Sequence, residues 1–273
     1  MKLFIAGAGS MTEAMVKGWI KEGSIPPDHI TITNKSNDQA LANLRSLYGV
    51  QTTRHAQAAA EADIIFLSCK PKDWEDALAP LNGILRSDQL LVSVMAGVTT
   101  SSLEVASKGP VVFRAMPNTS AAVRASMTSF AGGSAAEDVH IRTVEHVFSL
   151  IGETAHVEEH LLDAVTALTG TGPAYIYYLM ESMEKAAQAI GIPEELGRDL
   201  VAQTLRGAAR RVQEEDTTPA ELYKQIMSPG GTTEAGFNVL KEQHVQEALI
   251  ACIEAANNRS KELGAPAASR QQS

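Results

Sequence analysis

Three apolar runs restrict the fold of the first half more than any other feature: DIIFLSC (Asp63 to Cys69), QLLVSVM (Gln89 to Met95) and PVVFRAM (Pro110 to Met116). Each is shorter than an ordinary helix and lacks the polar alternation of a strand with one wet face. Each therefore reads as a strand buried on both faces, the habit of parallel sheets. Leu3 to Ala6 and HITITN (His29 to Asn34) are two further strands. Helical spacing appears between strands, in Ser10 to Lys21 and Asn37 to Leu47. Strand and helix alternating in this way predict right-handed crossovers and an open, mainly parallel sheet with helices on both faces.

After about Val157 the pattern changes. Leu161 to Leu168, Ala174 to Ile190, Glu194 to Gln213, Ala220 to Ile226, Thr233 to Glu242 and Val245 to Leu263 all read as helices. The division expected is an α/β nucleotide-type domain over 1–157, an all-helical domain over 158–264, and a flexible tail over 265–273, APAASRQQS. Ala-rich helix faces such as EKAAQAIG and EALIACIEAANN suit close packing across a subunit interface.

A length of 273 residues accommodates two such domains. The net charge of −9, with no basic cluster, argues against nucleic acid or an anionic membrane as partner. No apolar run has the length of a membrane helix, and the glycines of MKLFIAGAGSM suit a strand and turn better than a signal core. Cys69 and Cys252 are too few for a disulfide framework or a thiolate metal site. Glu158, Glu159 and His160 read as a solvated helix start, so no metal is expected. The expectation is a soluble, cytoplasmic protein with a small-molecule substrate.

Gly7-Ala8-Gly9, followed by Ser10 and Met11, stands immediately after the first strand and before the first helix. Gly7 permits a tight turn, and Gly9 lets a pyrophosphate approach the helix N-terminus. Thr12 occupies the third position of this fingerprint, where Gly or Ala is usual; its bulk predicts slightly wider helix–strand spacing. The second strand ends in Asn34, Lys35 and Ser36, without the carboxylate that binds ribose hydroxyls in NAD enzymes. Lys35 suits a 2′-phosphate, so NADPH is expected ahead of NADH. Ser68, Cys69, Lys70 and Pro71 end the next long strand, Met95, Ala96 and Gly97 the following one, and Asn118 lies just past the third. These strand ends converge on the edge where such sheets bind ligands.

In MSPGGTTEAG, Pro229 breaks a helix, Gly230 and Gly231 bare the backbone, and Thr232 and Thr233 open the next helix. A helix N-terminus of this kind attracts a carboxylate. The alternative is a plain helix start with Thr232 or Thr233 as N-cap.

GAGSMTEAM, CKP, AG, RAMPNT, LTGTGPAYIYYLMESM and MSPGGTTEAG, in this order and spacing, resemble the pyrroline-5-carboxylate reductase family over about residues 2–264. The last two motifs are the specific ones. The resemblance implies reduction of 1-pyrroline-5-carboxylate to L-proline with NAD(P)H, the last step of proline biosynthesis. It also implies a Rossmann domain and a helical domain that interlocks two subunits, with larger rings of dimers in many members. It assigns substrate contact to Ser228, Gly230, Gly231, Thr232 and Thr233, with Thr233 facing the imine. It further places His55, where many relatives have Asn, against the cofactor. Lys35 stands where many bacterial members have Arg, and Ser120 replaces a usual Pro. LTGTGPAYIYY should bend the chain at Gly170 to Pro173, with Tyr175, Tyr177 and Tyr178 as packing residues. Two rivals are a β-hydroxyacid dehydrogenase and a non-catalytic nucleotide-binding regulator. The dehydrogenase needs a lysine in the first long helix of its second domain, and none occurs between Lys108 and Lys185.

Overall fold

Leu3–Ala6 forms β1 because four apolar residues in a row satisfy a strand covered on both faces, and all four are buried in this computed structural model. The structure describes residues 1–264; the expected tail at 265–273 lies outside the described residues. The strands β2 (Ile30–Thr33), β3 (Gln51–Thr52), β4 (Ile64–Leu67), β5 (Leu90–Ser93), β6 (Val111–Met116), β7 (Ser126–Gly132) and β8 (Gly152–His156) complete one eight-stranded sheet. Its order is β3-β2-β1-β4-β5-β6-β7-β8. Strands β3 to β6 pair in parallel in the doubly wound order 3-2-1-4-5-6. The register aligns Thr33, Ala6, Leu67, Ser93 and Arg114 in one row, so the residues that follow share one edge.

The sheet sorts its side chains by parity. Leu3, Ile5, Ile64, Phe66 and Val92 pack with Met15 and Trp19 of α1 (Ser10–Glu22), Leu41 and Leu44 of α2 (Asp38–Tyr48), and Val147 and Phe148 of the helix Asp138–Ser149. Phe4, Ala6, Ile65, Leu67 and Leu91 face the other way, onto Leu78 of α3 (Trp74–Leu78) and Leu103 of α4 (Thr100–Ser107). The helix Asp138–Ser149 is α5. Trp19 is fully buried and its indole donates to the Val147 carbonyl at 2.9 Å, which ties α1 to α5.

Three strands escape the sequence pattern, the two-residue β3 among them. β7 runs antiparallel to β6, and β8 runs parallel to β7. The reading Leu161 to Leu168 as one helix also changes. A short α6 (Leu162–Val165) passes into a π-helical turn over Thr166–Gly170, where Thr171 N reaches Thr166 O at 2.9 Å. α7 (Gly172–Ala189) follows, so the bend expected at Gly170 to Pro173 is a change of helical winding.

The chain divides into two compact units, residues 1–173 with 255–264, and residues 174–254. The second comprises most of α7, then α8 (Glu194–Glu214), α9 (Pro219–Gln225), α10 (Thr232–Glu242) and the first half of α11 (Val245–Gly264). A reciprocal cap between Thr218 and Glu221, with Pro219 at the first helical position, starts α9. Tyr223 and Phe237 stack α9 on α10 with ring centroids 4.9 Å apart. Tyr177 and Tyr178 are 59% and 71% exposed, so within this chain they are not packing residues.

Candidate active site

Gly7 sits at the turn where β1 leaves the sheet, with φ +136°, and its amide donates to Thr33 O at 2.8 Å. A Cβ added there would lie 2.2 Å from the Ser68 carbonyl oxygen, so only glycine fits. Gly9 differs. Its φ is −91° and an added Cβ would meet nothing within 4 Å. Neither conformation nor internal packing requires a glycine at that position, and it caps α1 with no side-chain hydrogen bond. The first intrahelical bond runs from Glu13 N to Gly9 O, so the amides of Ser10, Met11 and Thr12 have no acceptor within the helix. The result is an uncapped helix end with bare backbone beside it.

Thr12 is fully buried. Its hydroxyl donates to the Gly7 carbonyl at 3.0 Å and, with that proton used, accepts from Ser68 Oγ at 2.9 Å. The departure from the usual small residue thus ties the β1 turn to the end of β4. Cys69 donates its thiol to Met95 Sδ at 3.3 Å, and burial pushes the Cys69 pKa up to about 11. Lys70 precedes Pro71 at a single 3₁₀ turn and is exposed. Ala8 and Ala96 are half-buried, and Gly97 turns the chain with φ +76°. Asn34, Lys35 and Ser36 lie past β2, and exposed His55 starts the 3₁₀ turn Ala56–Glu61 past β3. The fold thus brings the residues following β1, β2, β4 and β5 to one sheet edge.

Asn118 is buried and its groups are engaged internally. Its side-chain amide donates to the Thr169 carbonyl at 2.9 Å, its side-chain oxygen accepts from Ser120 N, and its backbone amide donates to Ser126 Oγ. It therefore holds the π-helical turn to the end of β6. Glu159 is not a solvated helix start. Its carboxylate accepts from the Thr100 amide at 2.7 Å and hydroxyl at 2.6 Å, closing the N-terminus of α4. Arg114, 2% exposed, pairs with Asp163 at 2.9 Å, and Asp163 also accepts from Ser260 on α11 at 3.0 Å. Sequence reasoning missed this buried cluster, because a lone Arg inside an apolar run carries no pattern.

The second candidate site is built by α10 and the turn before it. Gly230 adopts φ +72°, whereas Gly231 is at φ −83° and its added Cβ would strike Ser228 Oγ at 2.6 Å. Gly231 is the N-cap residue and no side-chain hydrogen bond caps α10, so neither Thr232 nor Thr233 plays that part. Glu234 accepts from Gly230 N at 2.7 Å, and Gly231 N donates back to Ser228 O. The first intrahelical bond is Ala235 N to Gly231 O, which leaves the amides of Thr232 and Thr233 without acceptors in the helix. Among the described residues no group of three or more His, Cys, Asp or Glu is placed to hold a metal, and no helix is long and apolar enough to cross a membrane.

The family model described as pyrroline-5-carboxylate reductase dimerisation matches residues 159–263, and that described as NADP oxidoreductase coenzyme F420-dependent matches residues 2–97. Pyrroline-5-carboxylate reductase 2 of Bacillus subtilis (strain 168) is 42% identical over 96% of this chain and 95% of its own. A pyrroline-5-carboxylate reductase structure from Coxiella burnetii is 33% identical, with a TM-score of 0.83 over 97% of this chain and 99% of its own. The Plasmodium falciparum pyrroline carboxylate reductase crystal structure with NADP bound is 26% identical, with a TM-score of 0.89 over 97% of this chain and 98% of its own.

Proposed function

The chain belongs to the pyrroline-5-carboxylate reductase family, and on that premise we propose that it reduces 1-pyrroline-5-carboxylate to L-proline with NADPH, NADH being the weaker donor. The observation that carries the nucleotide half is Gly9. This glycine has no internal reason to be one and stands at an uncapped helix N-terminus on the carboxyl edge of a doubly wound sheet. The amides of Ser10 and Met11 fit a pyrophosphate. Asn34, Lys35, Ser36 and His55 border the adenosine half, and residues 68–71, 95–97 and Asn118 border the nicotinamide half. When bound, the dinucleotide supplies the hydride.

The chain's own work is to bind and orient. The free amides of Thr232 and Thr233, with the α10 dipole, hold the substrate carboxylate. Gly230 and Gly231 shape the turn, and the Ser228 carbonyl holds the Gly231 amide. The Thr233 hydroxyl, not used as a cap, accepts from the protonated ring nitrogen as C5 becomes tetrahedral. Orientation of a reactive iminium next to a hydride donor needs no paired carboxylates or nucleophile triad. The many exposed apolar side chains of residues 174–254 support a homodimer, with larger rings built of dimers. The setting proposed is the cytoplasm.

The test is NADPH oxidation on addition of 1-pyrroline-5-carboxylate, with proline counted as product. Thr233→Ala should raise the barrier by ~1–3 kcal/mol and leave the melting temperature unchanged. Reduced melting temperature with intact turnover would instead make Thr233 a structural residue. A non-catalytic regulator predicts nucleotide binding without turnover. A hydroxyacid dehydrogenase predicts oxidation of a hydroxyacid, a reaction for which this chain lacks the lysine.

A further inference from the structure

In an α/β nucleotide site the adenosine ribose lies beyond the carboxyl end of the second strand. Two cations reach that place here, and they are held differently. Lys35 projects from the turn itself, its side chain 75% exposed, and its ammonium pairs with Asp76 at 2.9 Å. Asp73 lies close enough to add to the pull of Asp76, so two carboxylates already face this lysine. Arg54 arrives from the end of β3. The parallel register of β3 on β2, extended by Thr53 N donating to Ile32 O at 3.0 Å, sets it beside Asn34. One terminal nitrogen of its guanidinium donates to the Asn34 carbonyl and, at 2.6 Å, to Asn34 Oδ1, and the other donates to Asp38. Its side chain is 35% exposed. Arg45, Ser46, Thr52 and Thr53 line a surface depression together with Asp38 and Arg54, so the surroundings of Arg54 carry one carboxylate and a second cation.

We infer that Arg54, more than Lys35, reads the 2′-phosphate of the dinucleotide, and that Asp38 sets how strongly it does so. This rests on the NADPH reading above. A guanidinium already anchored on Asn34 loses little freedom when it binds, and its planar fork matches a phosphate. A 2′-phosphate brings up to two charges and three acceptor oxygens, so it displaces the single exposed Asp38 carboxylate. Asp38 is thus both the resting partner of Arg54 and the charge that a phosphate must overcome. Arg54 gave no sequence signal because only the β2–β3 pairing brings it to Asn34.

The experiment compares kcat/KM for NADPH and NADH in the wild type, Arg54→Gln, Lys35→Gln and Asp38→Asn. Titration with adenosine 2′-phosphate and with adenosine reads the phosphate alone. Arg54→Gln should lower the NADPH-to-NADH ratio by about 10- to 100-fold, as expected for a charge-assisted pair. Lys35→Gln should lower it by about threefold, and Asp38→Asn should raise it by a similar factor. Arg54→Gln should also remove the advantage of adenosine 2′-phosphate over adenosine, with the melting temperature unchanged. An unchanged ratio in Arg54→Gln, or a larger loss in Lys35→Gln, would overturn the inference. A wild type inactive with both cofactors would defeat the reductase reading instead, and the adenosine 2′-phosphate titration would still decide the role of Arg54.

Discussion

The sheet unit and the helical stretch from residue 174 to 254 deal with apolar side chains in opposite ways. In β1, β4, β5 and β6 every apolar residue is buried, under helices supplied by the same chain. Between 174 and 254 the buried apolar residues are Ala187 and Val201, while Ile176, Tyr178, Ile190, Leu200, Val239 and Ile250 stay exposed. Burial contributes roughly 25 cal/mol per Å² of apolar surface. The first unit gains this within one chain, and the second gains little of it alone. A core is thus a property of the sheet unit, and the helical stretch has the surface of an assembly part.

The largest effect should come from charging that surface. Tyr178→Asp with Leu200→Asp is expected to give monomers in sedimentation and to lower stability by ~3–6 kcal/mol, at 1.5–3 kcal/mol per buried side chain. A dimer of unchanged stability would mean that these faces are simply wet. Next is the sheet unit's own buried charge. Arg114→Leu leaves Asp163 and Glu159 without their cation and should lower unfolding free energy by about 3–5 kcal/mol in urea. It should do so without changing the oligomeric state.

Gly7 and Gly9 sharpen the comparison within one turn. Gly7→Ala should lose at least ~1–3 kcal/mol from backbone strain alone, before the clash with Ser68 is counted. Gly9→Ala should change stability by less than ~0.5 kcal/mol yet raise the KM for NADPH about tenfold. Equal stability losses in both would make Gly9 a packing residue.

Much of the sheet was legible because both-face burial leaves unbroken apolar runs, as in IIFL and LLVS. β7 was not, since SMTSFAG buries Ser126, Thr128 and Ser129, and the hydroxyls of Ser126 and Thr128 find each other only in the fold. β8, GETAH, is half-exposed and has no apolar run. The Gly7 turn could be read from residue type, but the contrast between Gly7 and Gly9 needed the distance to Ser68. The roles of Asn118 and Glu159 rest on partners 51 and 59 residues away, beyond any local pattern.

The smallest expected effect concerns the two thiols. The Cys69 pKa is raised by burial from 9.0 to about 11, so the folded state keeps a proton that the unfolded chain releases first. The stability this contributes is present below pH 9 and is lost as pH rises through about 11. In the monomer made by Tyr178→Asp with Leu200→Asp, iodoacetamide at neutral pH should label exposed Cys252 well before Cys69, and mass spectrometry after brief exposure checks this.

The most direct test of the account follows the hydride itself. NADPH carrying deuterium at nicotinamide C4, on the transferred face, is incubated with the protein and 1-pyrroline-5-carboxylate, and the proline is examined by NMR. One deuterium per proline is expected, at C5, formed in step with NADPH oxidation. Folded dimer that binds NADPH yet yields no C5-deuterated proline would contradict it.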